Sequence, residues 1–126
     1  MAQLTTVLGA LGGLLSVAFG AFGAHALRGR LDEYAQGIYE TAVQYQFYHS
    51  LALLAVGLML AQYPSSTLLK SSAVLFMLGI LVFSGSLYLL SLSGVRWLGA
   101  ITPLGGLAFI AGWACLMAAA WKLFTP

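Results

Sequence analysis

Three stretches of this chain run for twenty residues or so without an Asp, Glu, Lys or Arg: Leu4 to Leu27, Ser72 to Leu92, and Ala100 to Trp121. A helix needs about 20 predominantly apolar residues to cross the hydrocarbon of a bilayer. Each run is therefore long enough to be a membrane span. The remainder cannot supply a water-soluble surface. Only 6% of the 126 residues are charged, against about 25% in soluble domains. The bilayer is the expected solvent, and at this length a single transmembrane domain, residues 1–126, is expected.

The first run, about 4–27, has alternative readings. Ala24-His25-Ala26 has the small-x-small form of a signal-peptide cleavage site. Against that, no Lys or Arg precedes the run, and it exceeds the usual apolar region of about 7–15 residues. It is read as a retained helix. The third and fourth spans are placed at about 72–92 and 100–124. Pro103 stands in the first turn of the last, where a missing N–H leaves nothing unsatisfied. Trp97 and Trp121 stand at depths suited to an aromatic belt.

The second span is different. Only Ser50 to Ala61 is continuously apolar, too short to cross. Extending it back to Thr41 reaches spanning length but takes in Gln44, Tyr45, Gln46, Tyr48 and His49. A full span over about 41–62 with a polar first half is preferred to a re-entrant segment. Its polar groups must then be satisfied by other helices or a wet cavity. Before it, Leu31, Tyr34, Ala35, Ile38 and Ala42 recur at helical spacing among Asp32, Glu33, Gln36 and Glu40. This pattern predicts a short amphipathic helix at the membrane surface between spans one and two, either separate or continuous with span two. The fold class is all-α, an integral membrane four-helix bundle.

Small residues let helix backbones approach closely in lipid. Gly12, Ser16, Gly20 and Ala24 form one stripe at four-residue spacing, and Gly9 with Gly13 forms a second, offset pair. In span four, Ala108 pairs with Gly112, and Ala111 with Cys115 and Ala119. The first stripe serves either a homo-oligomer or packing within the monomer, with packing preferred. Cys115 reads as a small packing residue. The recurrence of Leu11-Gly12-Gly13-Leu14 as Leu104-Gly105-Gly106-Leu107 is what chance produces in a chain dominated by Leu and Gly.

The polar residues that could carry chemistry are His25, Glu40, Tyr45, Gln46 and His49, with Arg28, Arg30, Thr41 and Tyr48 near them. Thr41, Tyr45 and His49 share one helix face, and His25 ends span one on the same side. Ionisable groups inside a membrane point to a site. A proton or cation path would use Glu40 and His49. A lipid-headgroup or quinone pocket would use Tyr45, Gln46 and His49. A haem or metal site on His25 and His49 has poor support, with two ligands and no spacing motif. The structural alternative, preferred here, is that these groups bond between spans one and two and fix their register.

The five cations are scattered, and without a cluster nucleic acid is excluded as a partner. Arg28, Arg30 and Arg96 fall on one side of the membrane, Lys70 and Lys122 on the other. The positive-inside rule then puts both termini outside the cytoplasm.

Gly20-Ala21-Phe22-Gly23-Ala24-His25-Ala26-Leu27, then Glu40-Thr41-Ala42-Val43-Gln44-Tyr45-Gln46-Phe47-Tyr48-His49 and Leu51-Ala52-Leu53-Leu54, resemble the YgdD/YwdK family of small membrane proteins, a domain-of-unknown-function group. The resemblance extends over nearly the whole chain and implies a four-helix protein of the bacterial cytoplasmic membrane. It implies no activity. No nucleophile with its base and no metal cluster is assembled in the sequence, so the chain is expected not to be an enzyme and to need no cofactor. Its expected partners are the lipid bilayer and either further copies of itself or a larger membrane complex. The alternative is a binder or conductor of lipid, quinone, proton or cation at a polar site between spans one and two, which predicts a cavity there lined by His25, Tyr45 and His49.

Overall fold

The computed structural model describes residues 1–126 and is wholly helical. Four helical stretches are long and apolar enough to cross a membrane. Helix α1 is Ala2–His25 and α2 is Glu33–Gln62. The third span, Thr67–Ser93, is built from α3 (Thr67–Gly79), a π-helical turn (Ile80–Ser84) and α4 (Gly85–Ser93). A 3₁₀ turn, Arg96–Ala100, leads into α5, Thr102–Phe124.

Local chemistry sets the boundaries. Gly29 takes a positive φ of 77° in the reversal after α1, a conformation that favours glycine. The Asp32 carboxylate then accepts from the Ala35 N–H at 2.7 Å and caps α2. Pro64 follows the end of α2, and Ser66 caps α3. Gly94, with φ 73°, closes α4 in the left-handed conformation. Pro103 lies in the first turn of α5, as its missing N–H requires.

The amphipathic segment is not a separate helix. Nothing between Glu33 and Thr41 breaks the backbone ladder, so it forms the first turns of α2. At about 1.5 Å per residue the 30-residue α2 is about 45 Å long, well beyond the ~30 Å of hydrocarbon. Its polar first turns therefore exceed what a crossing needs, and residues 41–62, about 33 Å, are long enough to span the hydrocarbon.

The four spans do not surround a common axis equally. Helix α2 and the third span form the centre; α1 packs mainly on α2, and α5 mainly on the third span. A core of Leu53, Val56, Leu60, Leu69, Ala73, Phe76 and Phe109 joins α2, α3 and α5. Ala42, Leu87 and Leu90 form a smaller cluster at the Arg-bearing end. The outer surfaces of α1 and α5, including Leu14, Val17, Ile110 and Met117, are exposed to lipid.

Candidate functional site

The register of α1 on α2 decides which polar groups can meet. A Cβ on Gly9 would stand 2.7 Å from the Leu54 nitrogen and 2.9 Å from the Ser50 oxygen. One on Gly12 would strike the Ser50 hydroxyl, and one on Gly23 the Tyr39 ring. The stripe named above is thus directed inward: Gly12 and Ser16 lie in the α1–α2 contact, Gly20 borders it against Val43, and Ala24 remains exposed. Gly12 and Ser16 thus serve packing within the monomer.

This antiparallel register separates the two histidines. His49 lies near the level of Gly12, thirteen residues from His25 along α1, or about 20 Å. His25 is exposed at the end of α1. His49 points away from α1 altogether. Its ring stacks on Phe109 of α5 at 3.5 Å between centroids and 10° between planes. Nδ1 lies 2.7 Å from the Tyr45 carbonyl oxygen, and Nε2 accepts from the Trp113 indole N–H at 3.1 Å. This pattern requires the Nδ1–H tautomer. Both nitrogens are engaged, so the expected cavity lined by His25, Tyr45 and His49 does not form. The four-residue spacing of Thr41, Tyr45 and His49 correctly places them on one face, but that face meets α5 and the third span.

Gln46, one helical step round from Tyr45, does bridge spans. Its amide nitrogen donates to the Gly12 carbonyl at 3.0 Å, and its amide oxygen accepts from the Tyr88 hydroxyl at 2.6 Å. One side chain thus ties α1, α2 and α4. Around it, the Tyr39 hydroxyl donates to the Phe19 carbonyl at 2.5 Å, and the Ser84 hydroxyl to the Ala42 carbonyl at 2.8 Å. Tyr88 meets the edges of Phe19 and Tyr39, each at 5.4 Å. Tyr39, Ser84, Tyr88, Phe109 and Trp113 escaped the sequence reading, because serines and aromatics in apolar spans carry no signal of which helix they will face. The register role expected of this constellation belongs to Gln46 and not to His49. Thr5 Oγ1 is the one buried side-chain polar atom without a partner.

Two candidates remain on the surface. Tyr45 is partly exposed and stacks on Phe83 at 4.6 Å. Glu40 is exposed, and its carboxylate accepts from the Gln36 amide at 3.1 Å. It lines two adjoining depressions between the end of α1 and the start of α2, of about 250 and 360 Å³. No three His, Cys, Asp or Glu side chains come together as metal ligands.

No solved structure matches this chain. The family described as "Protein of unknown function (DUF423)" matches residues 19–106, a range that holds Glu40, Gln46, His49 and Tyr88. A UPF0382 membrane protein of Staphylococcus haemolyticus is 46% identical over 120 residues, covering 95% of this chain and 97% of the relative. The UPF0382 membrane protein YwdK of Bacillus subtilis is 45% identical over 117 residues, covering 92% and 94%. These matches, with four membrane-spanning helices, are the ground for the assignment: the chain is a membrane protein belonging to the DUF423 (UPF0382) family.

Proposed function

We propose that this protein is a non-enzymatic component of the bacterial cytoplasmic membrane that works by lateral association with another membrane-spanning chain. The observation that carries this reading is an aromatic patch within the spans. Tyr45 and Tyr48 lie about 6 and 10 Å beyond Thr41, where the span in α2 begins, and Trp113 lies about 17 Å along α5, deeper than the belt positions of Trp97 and Trp121. Tyr48, Tyr45, His49 and Trp113 adjoin in sequence round this face. Both phenols are exposed, and neither hydroxyl bonds within the chain. In hydrocarbon such hydroxyls need acceptors, which a neighbouring helix supplies. Tyr and Trp are also the residues enriched at interfaces. The polar groups of the interior are occupied in holding the spans, which supports association over conduction.

A photo-crosslinking residue in place of the exposed Tyr45, expressed in native membranes, tests the proposal. It is expected to give a discrete protein adduct, while the same probe at lipid-facing Leu81 gives none. An adduct of twice the chain mass identifies a second copy, and any other mass a different subunit. Lipid adducts alone at both positions would overturn the reading.

The orientation proposed with it places the Arg-bearing end in the cytoplasm. Arg96 lies over the Tyr34 ring at 5.5 Å, so Arg96 shares one end of the bundle with the α1–α2 connection that holds Arg28 and Arg30. Lys70 and Lys122 occupy the other end. Three cations against two favour the Arg end as cytoplasmic, with both termini outside. A reporter active only in the cytoplasm, fused after Pro126, is expected to be silent; a strong signal would reverse the orientation.

A further inference from the structure

We propose that the groove between α1 and α2 is a binding site for one phospholipid carrying a primary-amine headgroup. The two depressions beside Glu40 share Gly23, Ala24, Gln36 and Glu40 as common walls. The inner one continues through Val43 and Gln44 into a third, of about 210 Å³, bordered by Val17 and Phe47. The result is one continuous trough, charged at the membrane surface and apolar at depth. That is the polarity profile of a single amphiphile lying parallel to the helices.

Its outer end holds one cation, Arg28, and two anions, Glu33 and Glu40. A guanidinium is suited to a phosphate diester. The carboxylates are suited to an ammonium that carries N–H donors, as a primary amine does. Glu40 is positioned for this, because Gln36 holds one of its oxygens and leaves the other open. The excess of acid over base in the cavity disfavours a headgroup with net negative charge. A quaternary ammonium has no N–H to donate. Charge and hydrogen bonding together therefore select a zwitterionic primary amine over both anionic and choline lipids.

The middle of the trough supplies a second observation. Gln44 is exposed on the membrane-spanning part of α2, and its side chain makes no hydrogen bond within the chain. An amide facing hydrocarbon without a partner is costly. The ester carbonyls of a lipid in the trough would lie below its phosphate and reach this donor. Gly20 keeps the floor open: a Cβ there would meet only the Val43 side chain, at 3.4 Å.

Native mass spectrometry of the full chain in mild detergent, with equimolar phosphatidylethanolamine, phosphatidylcholine and phosphatidylglycerol, tests the assignment. A single-lipid adduct favouring phosphatidylethanolamine by about fivefold or more is expected, a difference on the order of 1 kcal/mol. E33Q/E40Q should abolish the preference over phosphatidylcholine, and R28Q should weaken all three adducts. These side chains are exposed, so the variants should melt as the parent does. Gly20→Leu, whose side chain would enter the trough, should remove the adduct while the protein stays folded. Equal adducts with all three headgroups, an unchanged preference in E33Q/E40Q, or a dimer in place of a lipid adduct would each overturn the proposal.

Discussion

The α1–α2 half and the α5 half of the molecule both rely on glycine, yet glycine meets different things in each. Against α1, Gly9 and Gly57 meet backbone, the Leu54 and Thr6 nitrogens at 2.7 Å, while Gly12 and Gly23 meet the Ser50 and Tyr39 side chains. Against α5, Gly105 meets the Phe83 backbone, whereas two other glycines receive rings. Gly112 faces Phe76 and Gly79 faces Phe109, and those rings belong to the aromatic cluster around His49. In lipid neither half gains from the hydrophobic effect between helices, so both depend on contact and hydrogen bonding. At Gly9 and Gly57 contact comes from bringing backbones together, at Gly79 and Gly112 from seating large side chains in notches. A backbone cannot rotate out of the way of a new methyl group, whereas a ring has rotamer freedom to yield. The two kinds of site should therefore differ in tolerance.

The sharpest way to break this comparison is to add one methyl group on each side. Gly57→Ala would stand 2.7 Å from the Thr6 nitrogen and 2.9 Å from its Cα, so α1 must shift as a body. A loss of about 3 kcal/mol is expected, at the upper end for overpacking. Gly112→Ala would stand 2.8 Å from Phe76 ring atoms, and a loss of about 1–2 kcal/mol is expected. Thermal unfolding in one detergent compares them directly. Equal losses would show that the rings are as immovable as the backbone.

Hydrogen bonds provide the next contrast. Gln46→Leu removes two bonds and leaves the Tyr88 hydroxyl without its acceptor. Bonds in membranes average well under 1 kcal/mol, but an orphaned buried group adds its own penalty. A loss of about 2 kcal/mol is expected from reversible unfolding in mixed micelles. His49→Leu orphans only the indole N–H of the half-exposed Trp113, since the Tyr45 carbonyl belongs to the helix ladder. It should cost about 1 kcal/mol, mostly through the lost stack on Phe109. If the histidine proves the more damaging of the two, the α5 half, not the Gln46 junction, is what holds the spans together.

The same contrast explains what could be read in advance. Span number and rough limits follow from apolar length, and the grouping of Arg28, Arg30 and Arg96 at one end of the bundle and Lys70 and Lys122 at the other from span order, because those are properties of one helix at a time. Helical spacing also placed Tyr45 and His49 on one face. It could not say which neighbour that face meets, since periodicity defines directions around a helix and not the order of helices around it. His49 was therefore assigned to α1, although α5 is its neighbour. Gln46, only 100° further round an ideal helix, proved to be the group facing α1. The amphipathic segment was legible as helix, and its continuity with span two has a plain cause: polarity changes at Thr41, but no capping residue or breaker accompanies the change. Glu40 was named from its charge, while the trough beside it depends on Gly20 and on the register, which only packing supplies.

The smallest predicted effect concerns Gly13, which sequence spacing pairs with Gly9 as one motif. Four residues on an ideal helix turn through 400°, so the two stand 40° apart around α1. That displacement is enough to separate their surroundings. Gly9 is buried against α2, while a Cβ on Gly13 would meet nothing within 4 Å. Gly13→Ala should therefore leave the fold intact and raise stability by up to about 0.5–1 kcal/mol, through the helix propensity that glycine lacks. Gly9→Ala should lose stability on the scale of Gly57→Ala. The pair of melting curves, one unchanged or shifted up and one shifted down, is the expected result. A loss at Gly13 in purified monomer would mean that α1 lies closer to α2 along that flank than the Gly9 and Gly12 contacts allow, and the register on which both halves have been compared would need to be redrawn.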